Sequence, residues 1–249
     1  MKNILLTLKE LLREKDTLLK RTLGIGLSVQ EMGSLFLLCL ALLMGYGFLL
    51  GAQYNALQAL VSAVKLPILF ILTTAICFPT LYMFLSYLGI KQGFKQILGL
   101  LLISLTYISL IVAAFAPVAF FFLITTDGYA FYKFLNIIII AIGGFIGIRL
   151  FYGQMLLVYK ESWTLEPETQ TVEVEGEALK LKPTHTSPCY NKAIKFTFAW
   201  ALLFATIGAQ LSYSLSPFFA DPTQEFLLLN DRNGNFFMDV VETLFKLIS

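Results

Sequence analysis

The sequence is short of charge, and the charge it has is unevenly placed. Only 14% of its residues are Asp, Glu, Lys or Arg, whereas soluble globular chains carry about 25%. The apolar fraction of 57% and the mean hydropathy of +0.77 are correspondingly high. Long uncharged runs separate the charged segments, and about 18 apolar residues in a row are enough to cross a membrane as a helix. The composition therefore excludes an ordinary soluble domain.

Histidine and cysteine are rare as well, which limits the available chemistry. The one histidine is His185, so a histidine-based metal site has too few ligands. Cys39 and Cys77 lie in apolar runs and Cys189 in a polar segment, which gives no disulfide framework. The sequence has no phosphate-binding loop, no HExxH helix and no Ser–His–Asp arrangement. We therefore expect no catalytic residue, no cofactor and no enzymatic activity.

Acidic residues are missing from the cores of the long apolar runs. Proton pumps and many ion-coupled transporters keep a carboxylate there, because a charge inside the membrane is costly and is retained for function. This absence counts against a proton-relay mechanism. The net charge of +2 and the lack of a basic run with interleaved aromatic residues argue against a nucleic-acid partner.

The apolar runs predict five membrane-spanning helices, so the expected fold class is an all-α, polytopic helical integral membrane protein. Pro67 suits the first turn of the second span, after a connection over residues 53–65. Pro79 should kink that span, and the third span must tilt, extend past the interface or break near Pro117. The expected spans are residues 32–52, 66–90, 97–126, 129–159 and 196–214.

Amphipathic segments flank these spans. Residues 1–31 alternate leucines with charges at helical spacing, which predicts a cytoplasmic amphipathic helix on the lipid surface or packed on its own protein. The tail, residues 216–249, ends in a second short amphipathic helix. Between them lies the transmembrane domain, residues 32–215, with a polar loop over 160–195. Within that loop, residues 171–182 are expected to form a hairpin or to be disordered.

Lys and Arg set the expected orientation. Cytoplasmic segments of membrane proteins accumulate these residues, and most of the 18 in this chain fall on the side of the N-terminus. We therefore expect an N-in, C-out topology, which requires an odd number of spans. Arg149 lies within a span, and the cations on the opposite side are Lys65, Lys133, Arg232 and Lys246.

Three polar residues in the spans are candidates for binding a substrate or a lipid headgroup: Arg149 and Gln154 in the fourth span and Gln210 in the fifth. Arg149 suits an anion or a lipid phosphate. Alternatively, its span ends sooner and the side chain snorkels to the headgroups. The two glutamines either line a polar cavity or hydrogen-bond to neighbouring helices.

Two pairs of glycines are spaced for close helix packing. Gly47 and Gly51 form a GxxxG pattern in the first span, and Gly143 and Gly147 form another in the fourth. Glycines at this spacing let two helices approach closely. We expect this packing within the chain, with a homo-oligomer as the alternative.

The tail also contains a partial match to a calcium-binding loop. The glycine that such a loop needs at its sixth position is Phe236 here. A turn followed by a helix capped by Asn235 accounts for the same residues, and we expect that structure and no metal. The matching oxygen-bearing residues are Asp231, Asn233, Asn235, Asp239 and Glu242.

Two runs of sequence resemble a known family. The runs from Lys65 to Tyr82 and from Gly208 to Phe219 are similar to five-span bacterial membrane proteins, including cyanobacterial ones. Those proteins are grouped with the Yip family of Rab-interacting membrane proteins. The resemblance covers residues 32–249 and implies a non-enzymatic protein that works through partners, in a bacterial inner (plasma) or thylakoid membrane. It assigns no binding residue.

These observations lead to two functional hypotheses. The first is a non-catalytic scaffold, assembly factor or accessory subunit of a membrane complex, whose partners are the lipid bilayer and other membrane proteins. The second is a small oligomeric channel or transporter for an ion, an anion or a lipid. A transporter needs Arg149 and Gln210 to face one hydrated cavity, whereas a scaffold does not.

Overall fold

The structure is a computed structural model in which every regular element of the described residues is an α-helix. The described residues are 9–11, 13, 15–24, 26–52, 56–90, 92–126, 129–164, 188–216, 218 and 235–248. We number the helices α1 (Lys15–Gly24), α2 (Val29–Gly51), α3 (Ala56–Tyr87), α4 (Phe94–Ala114), α5 (Ala116–Thr125), α6 (Tyr129–Thr164), α7 (Pro188–Ser214) and α8 (Phe236–Ile248).

Five helical stretches are long and apolar enough to cross a membrane: α2, α3, α4 with α5, α6, and α7. The predicted polytopic helical fold is therefore confirmed. Neighbouring spans form a ring in which α2 packs between α3 and α4, α6 packs on α4, and α7 joins α6 to α3. Large buried side chains such as Tyr46, Tyr159 and Trp200 help to fill this bundle.

Two hydrogen bonds made by α6 identify the two ends of the bundle. We call the end where α2 begins the near end and the end where α2 finishes the far end. At the far end, the Tyr132 hydroxyl of α6 donates to the Leu49 carbonyl oxygen of α2 at 2.9 Å. At the near end, the Ser162 hydroxyl of α6 donates to Gln92 Oε1 at 2.7 Å. The predicted topology, which stays a prediction, places the near end in the cytoplasm.

The first glycine pair lies where α2 meets α3. A Cβ atom at Gly51 would stand 2.4 Å from the Gln58 carbonyl oxygen and 2.7 Å from Ala59 Cα. At Gly47 it would stand 2.6 Å from the Ser62 carbonyl oxygen. Both contacts are with backbone atoms, so only glycine permits this distance between the helix axes. The pair therefore sets how closely α2 and α3 approach each other.

The second glycine pair lies where α6 meets α4. A Cβ at Gly147 would stand 2.0 Å from Ile108 Cγ1, and one at Gly143 would stand 2.8 Å from Val112 Cγ2. The neighbouring Gly144 has no such contact within 4 Å. Both GxxxG patterns thus pack against helices of the same chain.

The N-terminal helix packs on the bundle at the near end. The Gln96 side chain of α4 donates from Nε2 to the Leu23 carbonyl oxygen at 2.7 Å, and the Tyr107 hydroxyl donates to the Leu11 carbonyl oxygen. Arg21 pairs with Glu31, which also completes a capping box with Ser28 at the start of α2. The leucines that face the bundle are buried: Leu11, Leu18, Leu19, Leu23 and Leu27. They contact protein rather than lying open to lipid.

The start of the second span was predicted wrongly. α3 begins at Ala56, so Lys65 is not part of a connection and Pro67 does not lie in the first turn. Lys65 lies inside the helix and is only 8% exposed. The apolar run begins later than the helix, because small residues such as Ala59 extend α3 along the glycines of α2. The helix continues through both Pro67 and Pro79.

The structure also defines the boundaries of the third and fifth spans. The third span breaks at Phe115, where α4 ends and α5 begins with Pro117 in its first turn, and this agrees with one of the three expected outcomes. The fifth span, α7, begins at Pro188, within the stretch predicted to be a polar loop. The segment 171–182, predicted to be a hairpin or disordered, lies outside the described residues.

Replacing Gly51 with alanine should weaken the α2–α3 contact. The new methyl group would meet the backbone of α3, so the two helices must separate, and overpacking of this kind costs about 1–3 kcal/mol. Gly45→Ala is the matched control, because nothing lies within 4 Å of a Cβ there. Thermal unfolding in detergent should show a lower midpoint for Gly51→Ala and an unchanged or higher one for Gly45→Ala. Equal midpoints for the two variants would contradict the proposed close contact.

Candidate functional site

Arg149 lies on the exposed surface of α6. The helix does not end near it but continues to Thr164, so Arg149 is an internal residue of a long helix. Its side chain is exposed and makes no ion pair with the described residues. A guanidinium on the surface of an apolar span has only lipid headgroups or solvent within the reach of its side chain. The exposed side chain therefore fits the alternative in which Arg149 snorkels to the headgroups. The other part of that alternative, an earlier end of the helix, is wrong.

Gln154 lies on the side of α6 that packs against α4, and it is only 2% exposed. The Ser104 hydroxyl is 3.1 Å from the Leu100 carbonyl oxygen and 3.2 Å from Gln154 Oε1, while Gln154 Nε2 has no hydrogen-bond partner among the described residues. One hydroxyl proton cannot serve both acceptors. Rotating the amide by 180° lets Nε2 donate to Ser104 and leaves the serine proton for Leu100. We therefore infer that Gln154 forms a hydrogen bond that joins α6 to α4.

Gln210 lies on the exposed surface of α7, so the three predicted residues are not brought together. Arg149 is exposed on α6, Gln154 is buried against α4, and Gln210 is exposed on α7. They form no common polar site within the described part of the chain. The sequence could not show this, because it does not tell which side of each helix faces the bundle.

A buried polar network that the sequence analysis missed joins α2 to α6. The Tyr46 hydroxyl donates to Asn136 Oδ1 at 2.6 Å, and Asn136 Nδ2 donates to the Tyr132 carbonyl oxygen at 2.8 Å. All three side chains are fully buried. Asn136 directly precedes the run Ile137–Ile140, and an amide inside such an apolar run was the available signal. The network stabilises the far half of the bundle.

A second contact that the sequence did not predict lies on α3, near the far end. The Ser62 hydroxyl donates to the Phe218 carbonyl oxygen at 2.7 Å. Phe218 follows the end of α7, and its side chain is buried. The chain after α7 therefore returns to α3, close to the buried Lys65.

The exposed face of α7 combines small and polar side chains. Ala199, Leu203, Thr206 and Gln210 recur at spacings of four, three and four residues, and all four are exposed. This is the spacing of side chains that pack one membrane helix against another. We call these four residues the α7 face. α7 is also the least buried of the five spans.

The depth of Gln210 follows from a contact of its neighbour. A Cβ at Gly208 would lie 3.5 Å from Thr73 Cγ2, and Thr73 lies near the middle of the 32-residue α3. Gln210 is therefore level with the interior of a span and not with its end. Its side chain makes no hydrogen bond within the described part of the chain, whereas the hydroxyl of Thr206 donates to the Leu202 carbonyl oxygen at 2.9 Å.

The partial calcium match is divided by the structure. Asp239 and Glu242 lie in α8 rather than in a loop, and Asn235 directly precedes that helix. Both carboxylate oxygens of Asp239 lie within 2.9 Å of Lys133 Nζ. Asp231 and Asn233 lie outside the described residues. Among the residues that are described, no three His, Cys, Asp or Glu side chains are grouped to hold a metal ion.

Comparison of the chain with protein-family models, with curated proteins and with solved structures found no match. The resemblance to the Yip family therefore stays a prediction. The functional argument depends on the geometry of the chain itself.

Removing the Tyr46 hydroxyl should destabilise the bundle. Tyr46→Phe leaves Asn136 Oδ1 without its donor, and hydrogen bonds between membrane helices contribute about 0.6 kcal/mol on average and at most about 1.7 kcal/mol. Tyr87→Phe is the control, because Tyr87 is exposed at the near end of α3. Unfolding in mixed micelles should show a loss of this size for Tyr46→Phe only. An equal effect of both variants would mean that the network contributes nothing specific.

Proposed function

We propose that this protein is a non-catalytic scaffold or accessory subunit that binds another membrane protein through the α7 face. The observation that carries the proposal is the position of Gln210, an amide on the exposed side of a membrane span. The least buried span of the bundle, α7, thus carries an exposed polar side chain at a level inside the spans. A partner helix that packs along α7 would cover it.

The physical reason is the cost of an unpaired amide in hydrocarbon. Lipid chains offer no hydrogen bond, so a primary amide exposed to them leaves two N–H donors and a carbonyl oxygen without partners. Inside the bundle the amide of Asn136 is paired in this way, by Tyr46 and Tyr132. Ala199 and Thr206 on the same face are small enough for a second helix to approach closely. A partner with a polar residue at that depth would pair with Gln210.

The transport alternative would draw Arg149, Gln154 and Gln210 to one hydrated path. They lie instead on two exposed surfaces and in one buried helix contact. Between α3, α6 and α7 the space is filled by Trp200, which contacts Phe151 and whose Nε1 donates to the Cys77 carbonyl oxygen at 3.0 Å. This separation favours a role at the surface of the bundle over one along its axis.

Gln210→Leu should weaken the complex without unfolding the chain. Leucine matches the size of glutamine and is favoured by lipid, so the bundle should keep its melting temperature. The loss of one interhelical hydrogen bond of about 0.6 to 1.7 kcal/mol should lower the affinity for the partner roughly three- to twentyfold. The measurement is quantitative mass spectrometry of proteins that co-migrate after extraction in nanodiscs at native expression.

Two controls sharpen this experiment. Gln210→Asn keeps an amide and should retain more of the complex than Gln210→Leu. Phe145→Leu changes a side chain on the exposed surface of α6 and should leave the complex intact. If Gln210→Leu retains all co-migrating proteins, the α7 face is not the binding surface. If Arg149→Ala and Gln210→Leu both abolish solute flux into liposomes, the transport hypothesis replaces this one.

A further inference from the structure

The last helix, α8, is attached to the bundle by its polar side. Lys133 on α6 forms an ion pair with Asp239 at 2.8 Å, and both side chains are largely buried. One turn further along α8, Thr243 is also buried, and its hydroxyl donates to the Asp239 carbonyl oxygen at 2.7 Å. α8 contacts both α6 and α7. The side of the helix that meets the protein therefore carries a carboxylate and a hydroxyl, beside the half-buried Phe236 and Val240.

The opposite side of α8 is apolar and exposed. At 100° per residue its members cover a continuous arc of about 120°, with Glu242 at one edge. The exposed fraction of the side chains in this arc runs from 37% for Leu244 to 70% for Phe245. We call the set the α8 arc: Phe237, Met238, Val241, Leu244 and Phe245.

This arrangement is the reverse of an amphipathic helix on a soluble protein. There the apolar side faces the core and the polar side faces water, because burying apolar surface is what holds the helix in place. A helix that turns its carboxylate toward the protein and five apolar side chains outward fits a surrounding medium that is itself apolar. Five large apolar side chains on one 13-residue helix would otherwise form a patch that water disfavours.

The ion pair also fixes the height of α8 on the bundle. Lys133 lies in the second turn of α6, next to Tyr132, whose hydroxyl reaches the Leu49 carbonyl oxygen near the end of α2. α8 is therefore held at the far end of the spans. At that height a membrane changes from acyl chains to headgroups, where amphipathic helices insert their apolar side.

We propose that α8 is an interfacial anchor whose arc inserts among the lipid acyl chains at the far end of the bundle, while the Lys133–Asp239 ion pair holds it against α6. The occupant of the arc is lipid, not protein. The α7 face needs a partner with a hydrogen-bonding group, whereas the α8 arc offers only hydrocarbon. This inference does not depend on the proposed function.

The charges of α8 indicate whether it is attracted to anionic lipid headgroups. Its acidic residues are Asp239, which is paired with Lys133, and the exposed Glu242, and its one basic residue is Lys246. The helix thus lacks the row of cations with which many interfacial helices attract anionic headgroups. Attraction to headgroup charge should therefore contribute little, and insertion should be equal in neutral phosphatidylcholine and in bilayers that contain anionic lipid.

The test is the accessibility of a nitroxide spin label on the full chain in phosphatidylcholine nanodiscs. The label is attached to Phe245→Cys, with Cys189 replaced by serine and the buried Cys39 and Cys77 left in place because the label does not reach them. Phe145→Cys on α6 gives the reference for a span surface, and Lys192→Cys at the near end gives the reference for solvent. Relaxation by oxygen reports lipid, and relaxation by a water-soluble nickel chelate reports water.

A label at residue 245 that behaves like the one at residue 145, with strong oxygen and weak nickel relaxation, supports the anchor. A label that behaves like the one at residue 192 overturns it, because the arc would then face water. A label shielded from both reagents also overturns it, since protein rather than lipid would cover the arc. The result should not change when a third of the lipid is anionic.

The role of the ion pair is tested in the same experiment. Asp239→Asn should release α8 and raise the nickel relaxation at residue 245 several-fold, and the melting temperature shows whether the spans remain folded. The charge-reversed double variant Lys133→Asp with Asp239→Lys should restore the original relaxation. If Asp239→Asn leaves the label unchanged, the ion pair does not hold the helix and that part of the proposal fails.

Discussion

The fold depends on one constraint: polar groups inside an apolar medium must find their partners within the protein. A hydrogen bond left unmade in hydrocarbon costs several kcal/mol, because no water can replace the missing partner. The bundle meets this demand where Tyr46 and Asn136 join α2 to α6, and again where Lys133 binds Asp239. Gln210 stands out because it is exposed at a level inside the spans and has no hydrogen-bond partner in the described part of the chain. The functional proposal follows from that contrast.

Close packing makes these hydrogen bonds possible. Gly47 and Gly51 bring α2 against the backbone of α3, while Gly143 and Gly147 bring α6 against α4. Since lipid tails are as apolar as the side chains, contact between helices in a membrane is stabilised by such fitting rather than by the exclusion of water. Both glycine pairs pack against helices of the same chain, and α7 is the least buried of the five spans.

The sequence predicted the five spans well, because uncharged apolar runs of sufficient length have few other stable structures in a cell. It misplaced the start of α3, since polarity alone does not show that Lys65 belongs to a helix extended by packing on α2. It also could not show that Arg149 and Gln210 lie apart, because the orientation of their side chains depends on neighbouring helices. Tyr46 and Asn136 are 90 residues apart in the chain, and only the fold shows that they form one network.

The central claim is that the α7 face contacts protein within the membrane. It is tested most directly by placing a photo-crosslinking amino acid at residue 210 and, in a second variant, at residue 145 on the exposed surface of α6. After irradiation of intact membranes, the account predicts a single protein adduct of defined mass from residue 210 and only lipid adducts from residue 145. Lipid adducts alone from residue 210 would contradict the account.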